Sequence, residues 1–582
     1  MLQAFSPAVR QWFASSFPEP TPAQVQGWPH IAGGEHTLIC APTGSGKTLT
    51  AFLASIDALT TTEPPAARER RTRVLYISPL RALAFDIEKN LRAPLAGIGL
   101  AAERLGEPFV APEVAMRTGD TSASDRQKLI RRPPDLLITT PESLYLMCTS
   151  SARDTLAGVE TVIVDEIHAM AATKRGAHLS LTLERLDEIV AAANPDGERS
   201  SPQRIGLSAT QRPLEEIAEF LGGYSAPGEK RPVRIVDAGI RKELEVEVVI
   251  PVDDMASLGQ PTGELTAGPA TTALTERRTS IWPSIYPEVL DRILAHRSTI
   301  IFCNARRAAE RLAAKLNELH EERLAAERGD EEDDPSADHS SDAFELVKAH
   351  HGSLAREQRV VIEDQLKRGE LRAIVATSSL ELGIDMGAVD LVVQVESPGA
   401  VSRGMQRIGR AGHQVGEPSR GSIFPKHRSD LVEAAVVTRR MVDGEIESTR
   451  FLRNPLDVLA QQIVAHVAAV DECAVSEVVA LVRRSANFAE ISDELIGNVL
   501  DLLAGRYPSD EFSELRPRLR VRDQRLLCGH AGEQLVEGPL APSVAPRPGL
   551  SRRPRPQDDG LPGHRHDARA HPRHVLPRER PH

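Results

Sequence analysis

The sequence feature that most restricts the fold is a glycine-rich segment between an apolar strand-like run and an apolar helix-like run. HTLIC at residues 36–40 leads into APTGSGKT at residues 41–48, and apolar residues with helical spacing follow. A strand, a glycine-rich turn and a helix in this order point backbone N–H groups at a phosphate. The segment therefore predicts a P-loop that binds a nucleoside triphosphate, with a glycine-rich connector as the alternative.

The residue types of this loop suit the chemistry of a bound triphosphate. Lys47 is expected to reach the β- and γ-phosphate oxygens as a catalytic residue, and Thr48 to hold Mg²⁺ through its hydroxyl. Ala41 replaces the first glycine of the strict pattern. The loop residues predicted to bind ATP are Thr43, Gly44, Ser45, Gly46, Lys47 and Thr48.

A second apolar run, TVIV at residues 161–164, ends in Asp165 and Glu166, with His168 shortly after. Asp165 is expected to hold Mg²⁺ through its water shell, and Glu166 to position the attacking water. Alone, the run also fits a buried strand that ends in a solvated acid pair. Its position downstream of a P-loop favours catalysis, so Asp165, Glu166 and His168 are predicted catalytic residues.

Short β-branched runs alternate with helical stretches along most of the chain, which predicts an α/β fold with parallel sheets covered by helices. The first series comprises HTLICAP, RVLYISPL, DLLITTPE, TVIVDE and RIGLSAT, and the second comprises STIIFCN, ELVKAHHGS, RAIVATS and VDLVVQVE. A stretch rich in Pro, Gly and Thr at residues 251–280 separates them. Two similar α/β domains in tandem are the simplest account.

After residue 430 the pattern becomes helical, with LDVLAQQIVAHVA, SEVVALVRR and DELIGNVLDLLAG. Asn454 is the expected N-cap and Pro455 the first helical residue. A small winged-helix-type domain fits, and so does generic helix packing. The predicted boundaries are 1–230 for the first domain, 231–435 for the second with an acidic insertion loop at 321–342, 436–520 for the third and 521–582 for a tail.

Bulk properties narrow the class of protein. The net charge of -12 argues against indiscriminate coating of nucleic acid, so a nucleic-acid path must be locally basic. The five cysteines include no CxxC pair, which suggests neither zinc nor disulfides. Without a membrane-length apolar run or a secretory start, a cytoplasmic location is expected. The Pro-, Arg- and His-rich tail is either a disordered basic tail or a truncated or frame-shifted end.

The chain resembles the DEAD/DEAH-like helicases of superfamily 2, whose motifs occur in order from residue 17 to residue 413. This resemblance implies that the two α/β domains are tandem RecA-like P-loop domains. TPAQ at 21–24 is similar to the Q-motif, in which Gln24 would read the adenine edge. Ser208 and Thr210 belong to a triplet similar to the motif that couples hydrolysis to strand movement. Gly383 and Asp385 lie in ATSSLELGID, which resembles motif V, and are expected to bind ATP.

QRIGRAGH at residues 406–413 resembles motif VI, which lies in the second domain. The γ-phosphate of ATP between two domains needs a cation from across the cleft in the transition state. Arg410 is the predicted arginine finger. Arg407 is either a second catalytic cation or an ion-pair partner within its own domain. His413 occupies the position of a second finger in many relatives, and a neutral imidazole there contributes less charge near pH 7.

The resemblance also implies nucleic-acid contacts in loops on the opposite rim from ATP. Small hydroxyls and backbone amides dominate these loops, so binding should be largely indifferent to sequence. Simple turn chemistry at strand ends is the alternative for any one loop. The residues are Ser78, Arg81, Thr118, Gly119, Thr140, Asn304, Arg306, His351, Gly352 and Thr377.

Within superfamily 2 the chain is most similar to the large helicase-related (Lhr) family, through phrases such as SPLRALAFDIEKNL, TTPESLYLM, ESPGAVSRGMQRIGRAGH and NPLDVLAQQIVAH. This resemblance implies an ATP- and Mg²⁺-dependent translocase that moves 3′ to 5′ on single-stranded DNA. It also implies unwinding of DNA and RNA:DNA duplexes in DNA repair. A nucleic-acid-stimulated ATPase without unwinding and a non-functional truncated product are the alternatives.

Overall fold

A computed structural model shows the arrangement of the chain. It describes residues 2–42, 44–195, 201–209, 211–239, 243–252, 255, 281–328, 345–381, 389–412, 417–506 and 517–528. These residues all belong to one compact unit that spans residues 1–544, and the second unit, 545–582, lies outside the described residues. Within the described part, no helix is both long enough and apolar enough to cross a membrane.

The first domain is built on a seven-stranded parallel sheet. Its helices are α1 Pro7–Ser16, α2 Pro22–Ala32, α3 Lys47–Thr61, α4 Arg81–Leu105, α5 Ala123–Arg131, α6 Pro141–Cys148, α7 His168–Ala171, α8 Lys174–Ala193 and α9 Leu214–Gly222. Its strands are β1 Thr37–Cys40, β2 Val74–Ile77, β3 Val114–Arg117, β4 Leu136–Thr139, β5 Thr161–Val164, β6 Gln203–Ser208, β7 Tyr224–Ala226, β8 Glu229–Lys230 and β9 Arg234–Asp237. The sheet order is β3-β4-β2-β5-β6-β1-β9, and β7 and β8 form a separate hairpin.

The second domain has a six-stranded parallel sheet in the order β10-β15-β14-β11-β13-β12. Its strands are β10 Leu244–Val248, β11 Thr299–Phe302, β12 Val347–His350, β13 Ala373–Ala376, β14 Leu391–Val395 and β15 Ser419–Phe424. Its helices are α10 Trp282–Ala295, α11 Arg306–Arg328, α12 Arg356–Lys367, α13 Val401–Ile408 and α14 Arg428–Asp443. Central strands such as β11 and β13 are buried at every residue, because helices cover both faces of the sheet.

The third domain combines three helices with a small antiparallel sheet, as predicted for a winged-helix type. The helices are α15 Leu456–Val470, α16 Val475–Arg484 and α17 Asp493–Leu503, and the strands are β16 Glu472–Ala474, β17 Leu519–Arg522 and β18 Arg525–Cys528. Asp523 and Gln524 join β17 to β18 with φ angles of 50° and 61°, which suits a tight two-residue hairpin turn. The predicted fold class, two tandem parallel-sheet α/β domains and a winged-helix domain, is confirmed.

Several details differ from the sequence interpretation. The first sheet includes β9 and so extends past residue 230, and the third domain includes β18 and so extends past residue 520. Residues 321–328 of the expected acidic loop belong to helix α11, and the rest of that loop lies outside the described residues, as does the tail from residue 529. Asn454 is not the N-cap of α15. It has a φ of 49°, and the cap position is Pro455.

Candidate active site and nucleic-acid interface

The P-loop leaves β1 at the carboxyl edge of the first sheet and ends where α3 begins. Gly44 and Gly46 have φ angles of 81° and 78°, a region that glycine adopts most readily. A Cβ on Gly46 would lie 2.9 Å from the amide nitrogen of Gln24, so a larger residue would displace that side chain. Thr48 lies in the first turn of α3, whose N-terminal N–H groups favour an anion. This geometry fits a phosphate cradle.

Gln24 lies beside this cradle and is 3% exposed. Its Oε1 accepts a hydrogen bond from the backbone N–H of Thr21 at 2.9 Å, which fixes the side chain at the start of α2. Lys47 is also buried, and its Nζ donates to the backbone oxygen of Ser208 at 3.3 Å. The loop lysine therefore points across the end of β6, toward the neighbouring strand end that carries the carboxylates.

Asp165 and Glu166 follow β5 and are both buried. Glu166 has a φ of 44°, a left-handed conformation that non-glycine residues adopt infrequently, and its N–H donates to Oδ1 of Asp165 at 2.9 Å. The hydroxyl of Tyr76 donates to Oδ2 of Asp165. Tyr76 is a site residue that the sequence interpretation missed, and its only signal was a hydroxyl-bearing side chain in the otherwise aliphatic run VLYI of β2.

The two neighbouring carboxyls have opposite pKa shifts. Burial, together with the nearby charge of Glu166, raises the pKa of Asp165 to about 7. Burial is the largest single influence on the pKa of Glu166 and works to raise it, but the surrounding positive charge, chiefly that of Lys47, lowers the pKa overall. Arg410 of the second domain contributes a smaller lowering of the same pKa. The second domain therefore places positive charge close enough to stabilise a charged Glu166.

His168 joins the first domain to the second. Its Nδ1 accepts the backbone N–H of Ala209 at 3.2 Å, as a ring nitrogen of the neutral imidazole can. Nε2 lies 2.9 Å from the side-chain amide of Gln406 and 3.5 Å from the Glu166 carboxylate. Burial lowers the pKa of His168, which favours this neutral form. One imidazole thus contacts the motif that contains Ser208, the acid pair and the second domain.

The two predicted arginines of α13 and the turn after it have different surroundings. Arg407 donates to Asn304 and Gln394 at 2.9 Å each and to Glu381 at 3.1 Å, all within the second domain. These contacts match the alternative of an ion pair within its own domain. Arg410 donates to the backbone oxygen of Glu381 at 3.0 Å and acts electrostatically on Glu166. Arg410 is therefore the arginine that the cleft brings toward the acid pair.

Five predicted site residues lie outside the described residues: Thr43, Thr210, Gly383, Asp385 and His413.

A cavity of about 450 Å³ separates the two α/β domains next to the P-loop, with Pro42, Ala209 and Gln211 on one side and Ser402 and Gln406 on the other. Among the described residues, no group of three or more His, Cys, Asp or Glu side chains is arranged to hold a metal ion. The donors present, Thr48 and Asp165, nevertheless fit Mg²⁺, which usually takes one or two protein oxygens plus water and phosphate.

The predicted nucleic-acid loops of the first domain lie at the same carboxyl edge as the nucleotide loops, not on an opposite rim. Because all seven strands are parallel, their carboxyl ends meet at one edge, and the two sets of loops separate into its two halves. The half formed by β3, β4 and β2 carries Thr118, Gly119, Thr140 and Ser78, and the half formed by β5, β6 and β1 carries the nucleotide loops.

Several of these side chains are occupied by local turns. Ser78 is fully buried and its hydroxyl donates to the backbone oxygen of Leu80 at 2.9 Å. Thr140 accepts the N–H of Ser143 and caps α6, while Thr118 is 1% exposed. These contacts match the alternative of strand-end turn chemistry for the hydroxyls. The groups in these loops that a nucleic-acid strand could reach are therefore backbone atoms and the more exposed neighbouring side chains.

The exposed members of the set are Arg81, Gly119, Asn304, Arg306 and Gly352. Arg81 forms an ion pair with Asp120, and Arg306 donates to the hydroxyl of Ser353 at 2.6 Å. In the second domain the loops again follow adjacent strands, with Asn304 after β11, His351 and Gly352 after β12, and Thr377 after β13. His351 itself is buried, with Nε2 2.9 Å from the carboxylate of Glu310.

Comparisons with known proteins agree with this arrangement. Residues 21–218 match the family model for DEAD/DEAH box helicases, residues 285–414 the helicase conserved C-terminal domain, and residues 439–536 the winged helix domain of large helicase-related protein. A relative from Mycolicibacterium smegmatis, described as an Lhr helicase and probable uracil glycosylase, is 50% identical over 92% of this chain and 34% of its own length.

The Escherichia coli Lhr helicase/uracil glycosylase is 49% identical over 91% of this chain and 34% of its own length. The chain thus spans about a third of the length of these two relatives. The solved structure of Mycobacterium smegmatis helicase Lhr bound to ssDNA and AMP-PNP superposes with a TM-score of 0.77 at 48% identity. That match covers 92% of this chain and 62% of the other. The chain therefore belongs to the large helicase-related (Lhr) family of superfamily 2 helicases.

Proposed function

We propose that this chain hydrolyses ATP in the cleft between its two α/β domains and uses the resulting domain movement to travel along single-stranded DNA. The observation that carries the proposal is the convergence on one cleft of Lys47 and the Asp165–Glu166 pair from the first domain and Arg410 from the second. The similar solved structure, which is bound to ssDNA and AMP-PNP, supports the choice of nucleotide and strand.

The residues of the first domain bind and orient the nucleotide. The N–H groups of the P-loop and Lys47 bind the phosphates, and Gln24 lies where the adenine would enter beside Gly46. Thr48 and Asp165 would hold Mg²⁺, which when bound neutralises charge on the phosphates. The bond from Tyr76 keeps the Asp165 carboxylate in one orientation.

Glu166 of the acid pair and Arg410 have separate roles in the hydrolysis step. Glu166 is buried, but the surrounding positive charge, chiefly that of Lys47, lowers its pKa, so the carboxylate is suited to orient a water molecule and accept its proton. Arg410 stabilises negative charge on the transferring phosphoryl group when the second domain approaches. His168 contacts both Gln406 of the second domain and the backbone of Ala209. Approach of the second domain would therefore shift His168 and, through it, the segment at Ser208 and Ala209.

Movement of the DNA strand depends on the loops at the carboxyl edge of each sheet that lie away from the nucleotide loops. The loops after β2, β3 and β4 and those after β11, β12 and β13 offer backbone groups and exposed arginines that suit phosphates and sugars. A cycle of opening and closing at the cleft changes the spacing between the two sets of loops, which moves the strand. We further propose 3′ to 5′ movement, unwinding of DNA and RNA:DNA duplexes, and a role in DNA repair.

The test is steady-state ATP hydrolysis with and without single-stranded DNA. We expect strong stimulation by the strand and a loss of about 10²- to 10⁴-fold in kcat for Glu166→Gln, because the amide cannot accept a proton. Glu215→Gln, on the exposed face of α9, is the matched control and should behave as the original chain does. Unaltered turnover in Glu166→Gln contradicts the site assignment.

A second candidate function is an ATPase that is stimulated by nucleic acid but does not separate strands. Unwinding of a 3′-tailed duplex, measured beside the ATPase assay, separates the two. Displacement that requires the 3′ tail supports the helicase, and stimulated hydrolysis without displacement supports the second candidate.

A further inference from the structure

The segment between α14 and α15 leaves the second domain and crosses to the first before the third domain begins. We call residues 446–454 the connector. At one end, Ile446 packs against the core of the second domain. At the other, Phe451 is 3% exposed within the core of the first domain, with its ring centroid 6.4 Å from that of Phe220. The connector is therefore anchored in both domains.

In the second domain the connector caps α13. The carboxylate of Glu447 accepts the N–H of Val401 and, at 3.0 Å, the N–H of Ser402. Ala400, which precedes the helix, has a methyl side chain that cannot cap it. A carboxylate at a helix N-terminus satisfies N–H groups and interacts favourably with the helix dipole. Glu447 thus fixes the start of the helix that carries Gln406 and leads to Arg410.

In the first domain the connector is bound to the segment that follows β6. The N–H of Thr449 donates to the backbone oxygen of Arg212 at 2.8 Å, and its hydroxyl donates to Oε1 of Gln211 at 2.6 Å. Ser448 and Arg212 form a parallel β-bridge. Gln211 is 3% exposed, so its side chain has little freedom to move away. This segment directly continues the one that contains Ser208 and Ala209.

The connector also lies beside the space into which the second domain can move. The cavity of about 450 Å³ between the domains is lined by Gln211 and Arg212 on one side, Ser402 and Gln406 on the other, and Ile446 of the connector. Any change in the width of this cavity changes the distance between Gln211 and the start of α13. The connector spans that distance through Thr449 and Glu447.

We propose that the connector sets the position of α13, and through it Arg410, relative to the acid pair, with Glu447 and Thr449 as positioning residues. This inference rests on the proposed function, since it concerns the same cleft. Neither residue has a hydrogen bond or ion pair to the described residues of the nucleotide loops, so both are expected to act through α13 and Gln211. Their loss should change the rate of the chemical step and leave nucleotide affinity intact.

The first experiment measures kcat and KM for ATP in Glu447→Gln and Thr449→Val, with single-stranded DNA present. Each should lower kcat by about fivefold with KM unchanged, since the loss of one cap or hydrogen bond is of that order. Glu445→Gln is the matched control, because that carboxylate lies 3.7 Å from Arg440 within the second domain. A rise in KM alone, or an equal loss in the control, overturns the proposal.

Two further variants separate positioning from general damage. Glu447→Asp keeps a negative charge at the helix N-terminus and should recover part of the lost kcat. The double variant Glu447→Gln with Thr449→Val should lose little more than either alone, because both residues belong to one connection. Fully additive losses contradict a single connection.

A measurement without turnover keeps this inference distinct from the proposed function. Amide hydrogen exchange in the nucleotide-free protein should rise across residues 401–412 in Glu447→Gln and stay unchanged in Glu445→Gln. Unchanged exchange there overturns the connector proposal even if ATP is hydrolysed. An absence of ATP hydrolysis in the original chain, with raised exchange in the variant, overturns the proposed function and leaves the positioning of α13 supported.

Discussion

The first domain meets its two neighbours in different ways. Against the third domain it forms a closed interface along α8, in which Arg185 donates to Gln462 at 3.0 Å and Ser180 and Ser485 lie 2.8 Å apart. Ala177 and Leu181 of the same helix belong to the core of the third domain. Against the second domain it borders a cavity of about 450 Å³.

The charged residues also differ between the two interfaces: those near the third domain are buried and paired, and those at the cleft face each other across two domains. On β6 of the first sheet, the side chain of Arg204 is 2% exposed and pairs with Glu184 and Asp187 of α8. Arg484 of α16 reaches Glu184 and Glu188 from the third domain at 3.4 and 3.0 Å. Separating such a buried, mutually bonded set leaves charges without partners, which is strongly unfavourable. At the cleft, by contrast, Arg410 acts electrostatically on Glu166 of the other domain, and a cavity lies between the two domains.

The two interfaces differ in how freely the domains can move against each other. The third domain is held against the first as part of one packed body, so opening and closing belong to the cleft between the two α/β domains. Changes at the cleft should therefore alter turnover without altering stability. Changes along α8 should do the reverse.

The largest expected effect is at the cleft. Arg410→Ala should lower kcat for ATP by about 10³-fold or more, with a much smaller change in nucleotide affinity, because its interaction is strongest with transition-state charge. The melting temperature should stay close to that of the original chain. Single-turnover kinetics beside nucleotide titration checks this, and an equal loss in affinity indicates a structural role for the arginine.

The next effect is at the closed interface. Arg185→Met should lower the free energy of unfolding by about 2–4 kcal/mol, because it removes bonds to Gln462 and to the backbone oxygens of Cys148 and Ala465. Arg175→Met on the same helix removes an exposed ion pair to Glu142 and should cost less than about 1 kcal/mol. Urea unfolding of both variants measures the difference, and similar losses would contradict a tightly packed interface.

The same interface should weaken in acid. Burial lowers the pKa of His178 to about 4 and of His466 to about 3, so both are neutral in the folded protein. The unfolded chain, with an ordinary value of 6.5, binds protons first as the pH falls, so stability decreases below pH 6.5. The slope should approach about 1.4 kcal/mol per pH unit for each histidine. His178→Gln and His466→Gln should flatten the profile measured by urea unfolding.

The smallest expected effect is on DNA binding, at the loops after β2, β3 and β4 of the first sheet. Arg81 is exposed and pairs only with exposed Asp120 among its described ion-pair contacts, so Arg81→Ala should leave stability unchanged. It should weaken binding of single-stranded DNA irrespective of sequence and reduce the slope of log affinity against log salt by about 1. Binding titrations at several salt concentrations test this, and a sequence-dependent loss argues against a phosphate contact.

Local sequence was sufficient where the relevant residues are contiguous. Strands such as β1 and β2 are buried at every residue and appear as continuous apolar runs. The P-loop and the acid pair each occupy one short segment. Strand β10 was missed because LEVEV alternates at a sheet edge, and β15 because SRGSIF contains few apolar residues.

Long-range pairs explain the rest of what was missed. Tyr76 meets Asp165 across 89 residues of sequence, and Thr449 meets Gln211 across 238. Side chains of this kind carry no local pattern, because their partners are set by strand order and domain packing. The choice for Arg407 between the cleft and its own domain likewise depends on Asn304, Gln394 and Glu381, which are distant in sequence.

Fluorescence energy transfer between pairs of dyes tests most directly whether the cleft moves while the interface with the third domain stays closed. Two inter-domain distances are measured. Dyes attached through Glu63→Cys in the first domain and Glu433→Cys in the second report the cleft, and Glu63→Cys with Asp501→Cys in the third reports the closed interface. Cys528→Ser removes the cysteine that is not fully buried. With single-stranded DNA and a non-hydrolysable ATP analogue, the first distance should change and the second should stay constant. A change in the second distance equal to that in the first would contradict the account.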